Sequence, residues 1–477
     1  MAPENTVKHA LRWMMFGKAT AQSISWLVTI VVVRLLSPAD YGLLAMAMVL
    51  IALGQMFRDM GLQHSLIQTE EPGSLTIRQV FTVLVVLNLT LCAVLIVSAP
   101  WASSHFNEPS LTNIIRMLAL LFPMQALQGV PVALMARKMQ FKIQATNGVI
   151  GSVVNSAVTL ILALLDYGVW ALVYGNLAAA LIRVLLYATH SRILYWPTSD
   201  FTGFSSLFSF GGFITLSSFL NYLQNKSSHW FIGTWLGKEP LGIYSVSNEL
   251  ASLPMQKVGG VLNQVGFAAF SRIQDDRDQV RANYLKMQSI MAFFAFPTFW
   301  GIASVSQLLV PLVLGEKWLA ATVPLQLISL SVPLRMLFNT TTPTLNGIGN
   351  AKLVFGNLLI SSLTMPLAYY FAMDWGVNGV AATWVIWYPV LFVFMQYRSN
   401  RALGILYGRY LQAIYRPLLI TAGMYLLVIM MGYYFERLNI AAQMILICQV
   451  IVGAGYYLLA SYIFNRKVLR ISKKVLF

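Results

Sequence analysis

Charge is scarce in this chain. Only 10% of its residues are Asp, Glu, Lys or Arg, against 58% hydrophobic residues and a mean hydropathy of +0.68. A soluble domain has about 25% charged residues, so a chain of 477 residues with so few could not cover a water-facing surface. Cysteine is nearly absent too. Its two residues, Cys92 and Cys448, lie in separate apolar stretches, which excludes a disulfide framework and a cysteine-rich metal centre. His9, His64, His105, His190 and His229 never fall at metal-ligand spacing on one helix. Pro and Gly are spread out rather than clustered, so no long low-complexity tail is expected. The period-two alternation of a transmembrane barrel is missing as well. These exclusions leave an all-α polytopic membrane protein.

What the chain does have is apolar runs. Fourteen are of the length a helix needs to cross about 30 Å of hydrocarbon at 1.5 Å per residue. The first six are Trp13–Leu36, Tyr41–Phe57, Val80–Pro100, Leu111–Leu134, Ile143–Leu165 and Val169–His190. Six more follow at Phe208–Ile232, Leu241–Leu262, Met287–Leu314, Leu319–Leu345, Val354–Met373 and Val377–Met395, and two at Pro417–Phe435 and Ile440–Phe464. Alternate connections collect 23 Lys and Arg residues, from Lys8 and Arg12 through Arg272 to Arg398, Arg401, Arg409 and Arg416 and the basic C-terminus. The intervening connections hold only Arg34, Lys238, Lys317 and Arg437. Translocating basic residues is disfavoured, so this pattern places both termini in the cytoplasm. The net charge of +16 is then a topology signal, and nucleic acid is not a partner. Ala19-Thr20-Ala21 has the form of a signal-peptidase site, but the apolar stretch before it is too short. The first span is expected to be an uncleaved anchor.

An internal repeat organises these spans. Leu35-Leu36-Ser37-Pro38-Ala39-Asp40-Tyr41-Gly42-Leu43 is matched by Trp235-Leu236-Gly237-Lys238-Glu239-Pro240-Leu241-Gly242-Ile243. Asp166-Tyr167-Gly168-Val169 is matched by Asp374-Trp375-Gly376-Val377, and Pro123 and Lys142 by Pro333 and Lys352. Six crossings return the chain to the same side, so the repeat is parallel. It predicts two six-helix lobes, residues 1–200 and 201–400, with a central cavity between them. Residues 401–477 add two further helices and a basic cytoplasmic tail.

The chemistry-bearing candidates are the ionisable residues inside the spans. Lys18, Arg116, Arg183, Lys226 and Arg335 fall within apolar segments, Asp59 closes the second span, and Glu249 lies in the eighth. A central Arg or Lys costs roughly 2.5–3.5 kcal/mol to insert. Lys18, Arg116 and Lys226 lie far enough from their span midpoints for snorkelling to the headgroups to remain the alternative. Arg183 and Arg335 sit near the midpoints, where a water-filled cavity is the better environment. The set reads as a cationic lumen for an anionic substrate. Trp101, Trp318 and Tyr462 read as an interfacial aromatic belt. The stretch beginning Ser271-Arg272-Ile273-Gln274-Asp275-Asp276-Arg277 reads as a short interfacial helix. The short outer connections argue against a membrane glycosyltransferase, polymerase or ligase.

Three segments carry a family resemblance. They are Arg34-Leu35-Leu36-Ser37-Pro38-Ala39-Asp40-Tyr41-Gly42 with Phe57-Arg58-Asp59-Met60-Gly61-Leu62, then Phe270-Ser271-Arg272-Ile273-Gln274-Asp275-Asp276, and Val310-Pro311-Leu312-Val313-Leu314-Gly315-Glu316-Lys317-Trp318. Through them the chain resembles the repeat-unit flippases of the multidrug/oligosaccharidyl-lipid/polysaccharide exporter superfamily, nearest the colanic-acid kind. The resemblance implies a multi-pass protein of the bacterial inner membrane, not an enzyme. Its lobes would alternate access and flip an undecaprenyl-pyrophosphate-linked oligosaccharide for surface polysaccharide synthesis. The surrounding partners would be membrane lipid, a polysaccharide polymerase and a chain-length regulator. No cofactor is implied. Arg34, Arg58 and Asp59 stand where gates would be, or pair with one another. Glu249 could couple transport to protons or Na⁺, or pair with a lumen cation. A cation-coupled multidrug exporter and a lipid-linked peptidoglycan-precursor flippase of the same superfamily are the rival readings.

Overall fold

The computed structural model describes residues 28–68, 72–191, 193–202, 211–438, 440–466 and 468–469. Most of the expected first span lies outside these residues, including Lys18 and the anchor's start; its end is helical over residues 28–35. The chain divides into two compact units, Met1–Gly242 and Ile243–Phe477. In the first unit the order is α1 (Pro38–Phe57), α2 (Leu62–Gln68), α3 (Ser74–His105), α4 (Leu111–Ala119), α5 (Leu121–Arg137), α6 (Phe141–Leu164), α7 (Val169–His190) and α8 (Gly211–Trp235). Helix α9 (Lys238–Arg272) carries the chain into the second unit. There follow α10 (Arg277–Leu314), a 3₁₀ turn Glu316–Ala321, α11 (Thr322–Gly347) and α12 (Ala351–Ala372). A second 3₁₀ turn, Met373–Trp375, leads to α13 (Gly376–Ala402), α14 (Tyr407–Arg437) and α15 (Ala442–Phe464).

Local chemistry explains where several of these helices begin. At α1, the Ser37 hydroxyl accepts from the Asp40 amide at 3.2 Å, while the Asp40 carboxylate accepts from the Ser37 amide at 2.9 Å. With Pro38 as the first helical residue, this is a complete capping box. Asp276 caps α10 by accepting from the amides of Asp278 and Gln279. The lipid solvent explains the outward faces. Val86, Val94 and Val97 of α3 are 56–78% exposed, an apolar surface that water would not tolerate at this density.

Among the described residues, ten stretches are long and apolar enough to cross a membrane. One of them, Ala351–Ala402, comprises both α12 and α13. The expected spans Phe208–Ile232 and Leu241–Leu262 appear as the helices α8 and α9 but are not among the ten. The reason lies in their side chains. Asn221, Gln224, Asn225, Lys226, Ser227, Ser228 and His229 form a polar run in α8, and α9 carries Ser245, Ser247, Asn248, Glu249 and Ser252.

The internal repeat is present in the element order. Helices start at Pro38 and Lys238, at Ser74 and Arg277, at Phe141 and Ala351, and at Val169 and Gly376. Gly168 and Gly376, at the matched turns, both take positive φ, 55° and 63°, which an L side chain would resist. Within the first unit, the repeat-related starts of α1 and α9 meet. A Cβ on Gly42 would overlap the Lys238 carbonyl oxygen, and one on Gly242 would overlap the Pro38 carbonyl oxygen. The contact is reciprocal, and only glycine permits it.

Other features differ from the sequence reading. The expected span Leu111–Leu134 is present as one membrane-length stretch, Leu111–Arg137, but its helix breaks at Leu120, between α4 and α5. Pro123 is the reason, because it has no N–H to donate to the Ala119 carbonyl. Arg398 and Arg401 lie inside α13, and Arg409 and Arg416 inside α14, because these helices run on past their apolar cores. The charged stretch after Ser271 is no separate helix; it ends α9, turns, and starts α10. Trp318 is not part of a belt but fully buried in its 3₁₀ turn, whereas Trp101 and Tyr462 are 58% and 55% exposed.

In the second unit, α14 and α15 pack onto α10 through Phe293, Ile420, Met424, Val428 and Tyr457, and the Tyr457 hydroxyl donates to the Phe293 carbonyl at 2.7 Å. A buried polar network ties α10, α11 and α13 together. Gln288 donates to Thr340 and Thr341, and Gln396 donates to the Tyr284 hydroxyl and to Asn400. Hydrogen bonds of this kind fix helix register in a membrane, where apolar burial alone gives little preference between helix faces.

Candidate anion site and its surroundings

In the second unit, four helices converge on Arg335. It lies in α11, two residues after Pro333. Its guanidinium carbon sits 4.4 Å from the ring centroid of Trp384, on α13. The Trp384 indole N–H donates to the Tyr244 hydroxyl, on α9, at 3.0 Å. Tyr369 of α12 and Tyr388 of α13 flank Trp384, with ring centroids 6.1 and 5.4 Å from it. A cation over an indole face gains about 0.5–2 kcal/mol, so the stack holds the guanidinium without neutralising it. Arg335 Nη1 and the Tyr369 hydroxyl are both buried and have no hydrogen-bond partner. No carboxylate pairs with Arg335 among the described residues. A fixed cation with an open N–H, beside an open hydroxyl, is suited to a phosphoryl oxygen, because charge-assisted hydrogen bonds are the strong ones.

The first unit holds the other described lumen candidates separately. Arg183 of α7 lies against Gly151 of α6 and donates through Nε to the Ala179 carbonyl at 2.9 Å. Arg116 is exposed in the last turn of α4, just before the break at Leu120. Lys226 is half-buried in α8, one turn before the fully packed His229.

The candidate gate residues are partly brought together. Arg58 and Asp59 approach at 3.7 Å, Arg58 also donates to Gln125 at 3.4 Å, and Asp59 accepts from the Gly61 amide. Arg34 is exposed at the end of the helical segment over residues 28–35. Glu249 is exposed on α9. At the other end of α3, Lys238 and Glu108 form an ion pair at 2.9 Å.

The aromatic residues around Arg335 were not singled out in the sequence. Trp384 and Tyr388 have the i, i+4 spacing that puts two rings on one helix face, but nothing in sequence links them to Tyr244 or Tyr369. In the polar run Asn221–Lys226 the sequence singles out Lys226 alone.

The profile of the family described as "Polysaccharide biosynthesis protein" matches residues 31–323. The lipopolysaccharide biosynthesis protein WzxC of Escherichia coli is 26% identical over 425 residues, 87% of this chain and 85% of that protein. The succinoglycan biosynthesis transport protein ExoT of Rhizobium meliloti is 24% identical over 477 residues, covering 98% and 94%. The solved structure of the lipid II flippase MurJ in an inward closed conformation superposes with a TM-score of 0.76 at 13% identity, covering 95% of this chain and all of that one, and so shares its fold.

Proposed function

Because the chain belongs to the polysaccharide biosynthesis protein family, multi-pass inner-membrane transport proteins of the multidrug/oligosaccharidyl-lipid/polysaccharide exporter superfamily rather than enzymes, we propose that it flips undecaprenyl-pyrophosphate-linked oligosaccharide repeat units outward for surface polysaccharide synthesis. Arg335 carries this reading: a guanidinium deep in an apolar helix, stacked on Trp384, with a buried N–H that no protein group satisfies. Retaining such a group costs stability unless a ligand uses it. A pyrophosphate supplies the missing charge and acceptors, while its polyprenyl tail stays in lipid.

In this reading the chain crosses the membrane fourteen times with both termini cytoplasmic. Its lobes, residues 1–200 and 201–400, open a cationic cavity to one face at a time. Arg335, Arg183, Lys18, Lys226 and Arg116 are the proposed cations for the anionic substrate. The Arg58–Asp59 pair, Arg34 and Glu249 serve opening and coupling. The relatives' names support polysaccharide export over drug export.

Deleting the gene tests the proposal. Completed carrier-linked units should accumulate on the cytoplasmic leaflet, and growth should slow as carrier is sequestered. Removing the first sugar transferase as well should restore growth. Normal surface polysaccharide in a strain with no substitute flippase, or units already on the outer leaflet, would overturn the reading.

A further inference from the structure

A second cationic site lies away from Arg335, where α14 and α15, the helices outside the repeat, pack on α10. It is a cavity of about 970 Å³ whose lining includes Lys286, Arg409 and Arg416, together with Asn465, Leu411 and Val468, and no carboxylate. None of the three cations has an acidic partner among the described residues. Arg416 is fixed rather than free: its Nη1 donates to the Phe464 carbonyl at 3.2 Å and its Nε to the Tyr415 hydroxyl at 2.9 Å. Asn465 is 2% exposed, yet its Nδ2 donor has no partner. A buried amide N–H left open costs free energy comparable to a lost hydrogen bond. Here it lines a cavity that already holds three uncompensated positive charges.

From these observations we infer a binding site for the two-phosphate headgroup of an anionic bilayer lipid of the cardiolipin class. Two features favour a lipid over a soluble anion. The lining mixes the cations with Leu411 and Val468, and the adjoining helix surfaces expose Leu419, Leu459 and Ile463 at 54–65%, an apolar face that acyl chains can cover. Lys286, Arg409 and Arg416 also belong to the connections that the charge pattern assigns to the cytoplasm, the depth at which basic clefts between helices take such headgroups. That depth rests on the topology proposed above; the cavity and its chemistry do not. Three cations and an amide donor outnumber what one phosphodiester needs, and the volume exceeds a single phosphate. The lipid would clamp α14 and α15 to α10 and so fix the pair of helices that the repeat leaves unaccounted for.

The test is retention of lipid by the purified full-length protein, read by native mass spectrometry. Cardiolipin, phosphatidylglycerol and phosphatidylcholine with matched acyl chains serve as probes. Cardiolipin should be held most strongly and phosphatidylcholine least. Replacing Lys286→Gln and Arg416→Gln should weaken cardiolipin binding about fivefold for each cation removed. Asn465→Leu should weaken it with every charge kept, which a diffuse basic surface would not show. Arg272→Gln, an exposed cation outside the cavity, should leave retention unchanged. Melting temperature without lipid identifies any variant that misfolds. If Asn465→Leu does so, the two Gln variants still decide the matter. Equal retention by wild type and the Gln variants would sink the site. Displacement of cardiolipin by inorganic phosphate would make it a soluble-anion site, and displacement by a polyprenyl phosphate would make it a carrier site; either refutes the assignment. The readout is binding alone, so its failure leaves the flipping proposal standing, and the reverse also holds.

Discussion

Arg335 shows how far a single residue can be argued from sequence and where that stops. Its depth in an apolar run was legible, because a charge near a span midpoint is rare and expensive. Its surroundings were not. Tyr244, Tyr369 and Trp384 come from three other helices, and no local pattern announces that they meet around one guanidinium. Arg335→Ala should lower export about tenfold or more at matched abundance, the scale of losing one charge-assisted hydrogen bond. Arg401→Ala, an exposed cation at the end of α13, should change it little. Arg335→Lys should keep part of the activity if charge alone suffices, and little if the planar fork is required. Normal transport by Arg335→Ala would remove the best residue of the proposed site. Trp384 separates stacking from hydrogen bonding. Trp384→Phe keeps an aromatic face but loses the N–H to Tyr244, so its defect should be smaller than that of Trp384→Ala. The reverse order would mean that the bond to Tyr244, rather than the stack, positions Arg335.

Elements depend on contacts that sequence shows only indirectly. The repeated turns around Gly42 and Gly242 were readable as a matched pair, and the structure gives the pairing a physical role: each glycine seats the other turn's backbone carbonyl. Any side chain at either position must push α1 and the start of α9 apart. Gly42→Val and Gly242→Val should each cost about 1–3 kcal/mol, the usual range for overpacking, measured as a lowered unfolding midpoint of the purified protein. Because one displacement relieves both overlaps, the double variant should lose less than the sum of the singles. Strict additivity would show that the two contacts are independent. The break between α4 and α5 was less legible, since Pro123 interrupts a run whose hydropathy stays high on both sides. Helix α2, seven residues whose Leu62 and Leu66 pack on α3 and α5, was too short to register as an element.

At the scale of the whole molecule, composition alone was enough to name a membrane protein, because so few charges cannot solvate so long a chain, and the missing period-two alternation made it all-α. Counting the crossings is harder. Hydropathy singles out the spans whose every face meets lipid or apolar protein, and it weakens in α8 and α9, where polar side chains accumulate. Loop charge supplies an independent count, since one missed crossing would invert every later connection and scramble the alternation of basic residues. The two signals differ over α8 and α9, and the side of every later connection reports whether one of the pair fails to cross. With both α8 and α9 spanning, Ser104 before α4 and Trp375 before α13 share the outer side, while Gln274 and Lys352 lie inside. If one of the pair failed to cross, Trp375 would move to the cytoplasm and Gln274 and Lys352 to the outside. Single cysteines at these positions, with Cys92 and Cys448 first replaced by Ala, can be probed in intact cells with a thiol reagent that does not cross the membrane. All four positions lie outside the apolar runs, and Ser104, Gln274, Lys352 and Trp375 are exposed, so access is set by side rather than burial. Reaction at Ser104→Cys and Trp375→Cys, with Gln274→Cys and Lys352→Cys reacting only after permeabilisation, is the pattern that fourteen crossings require. Reaction at Gln274→Cys in intact cells would show that hydropathy was right to pass over α8 or α9 and that the basic connections do not mark the cytoplasm.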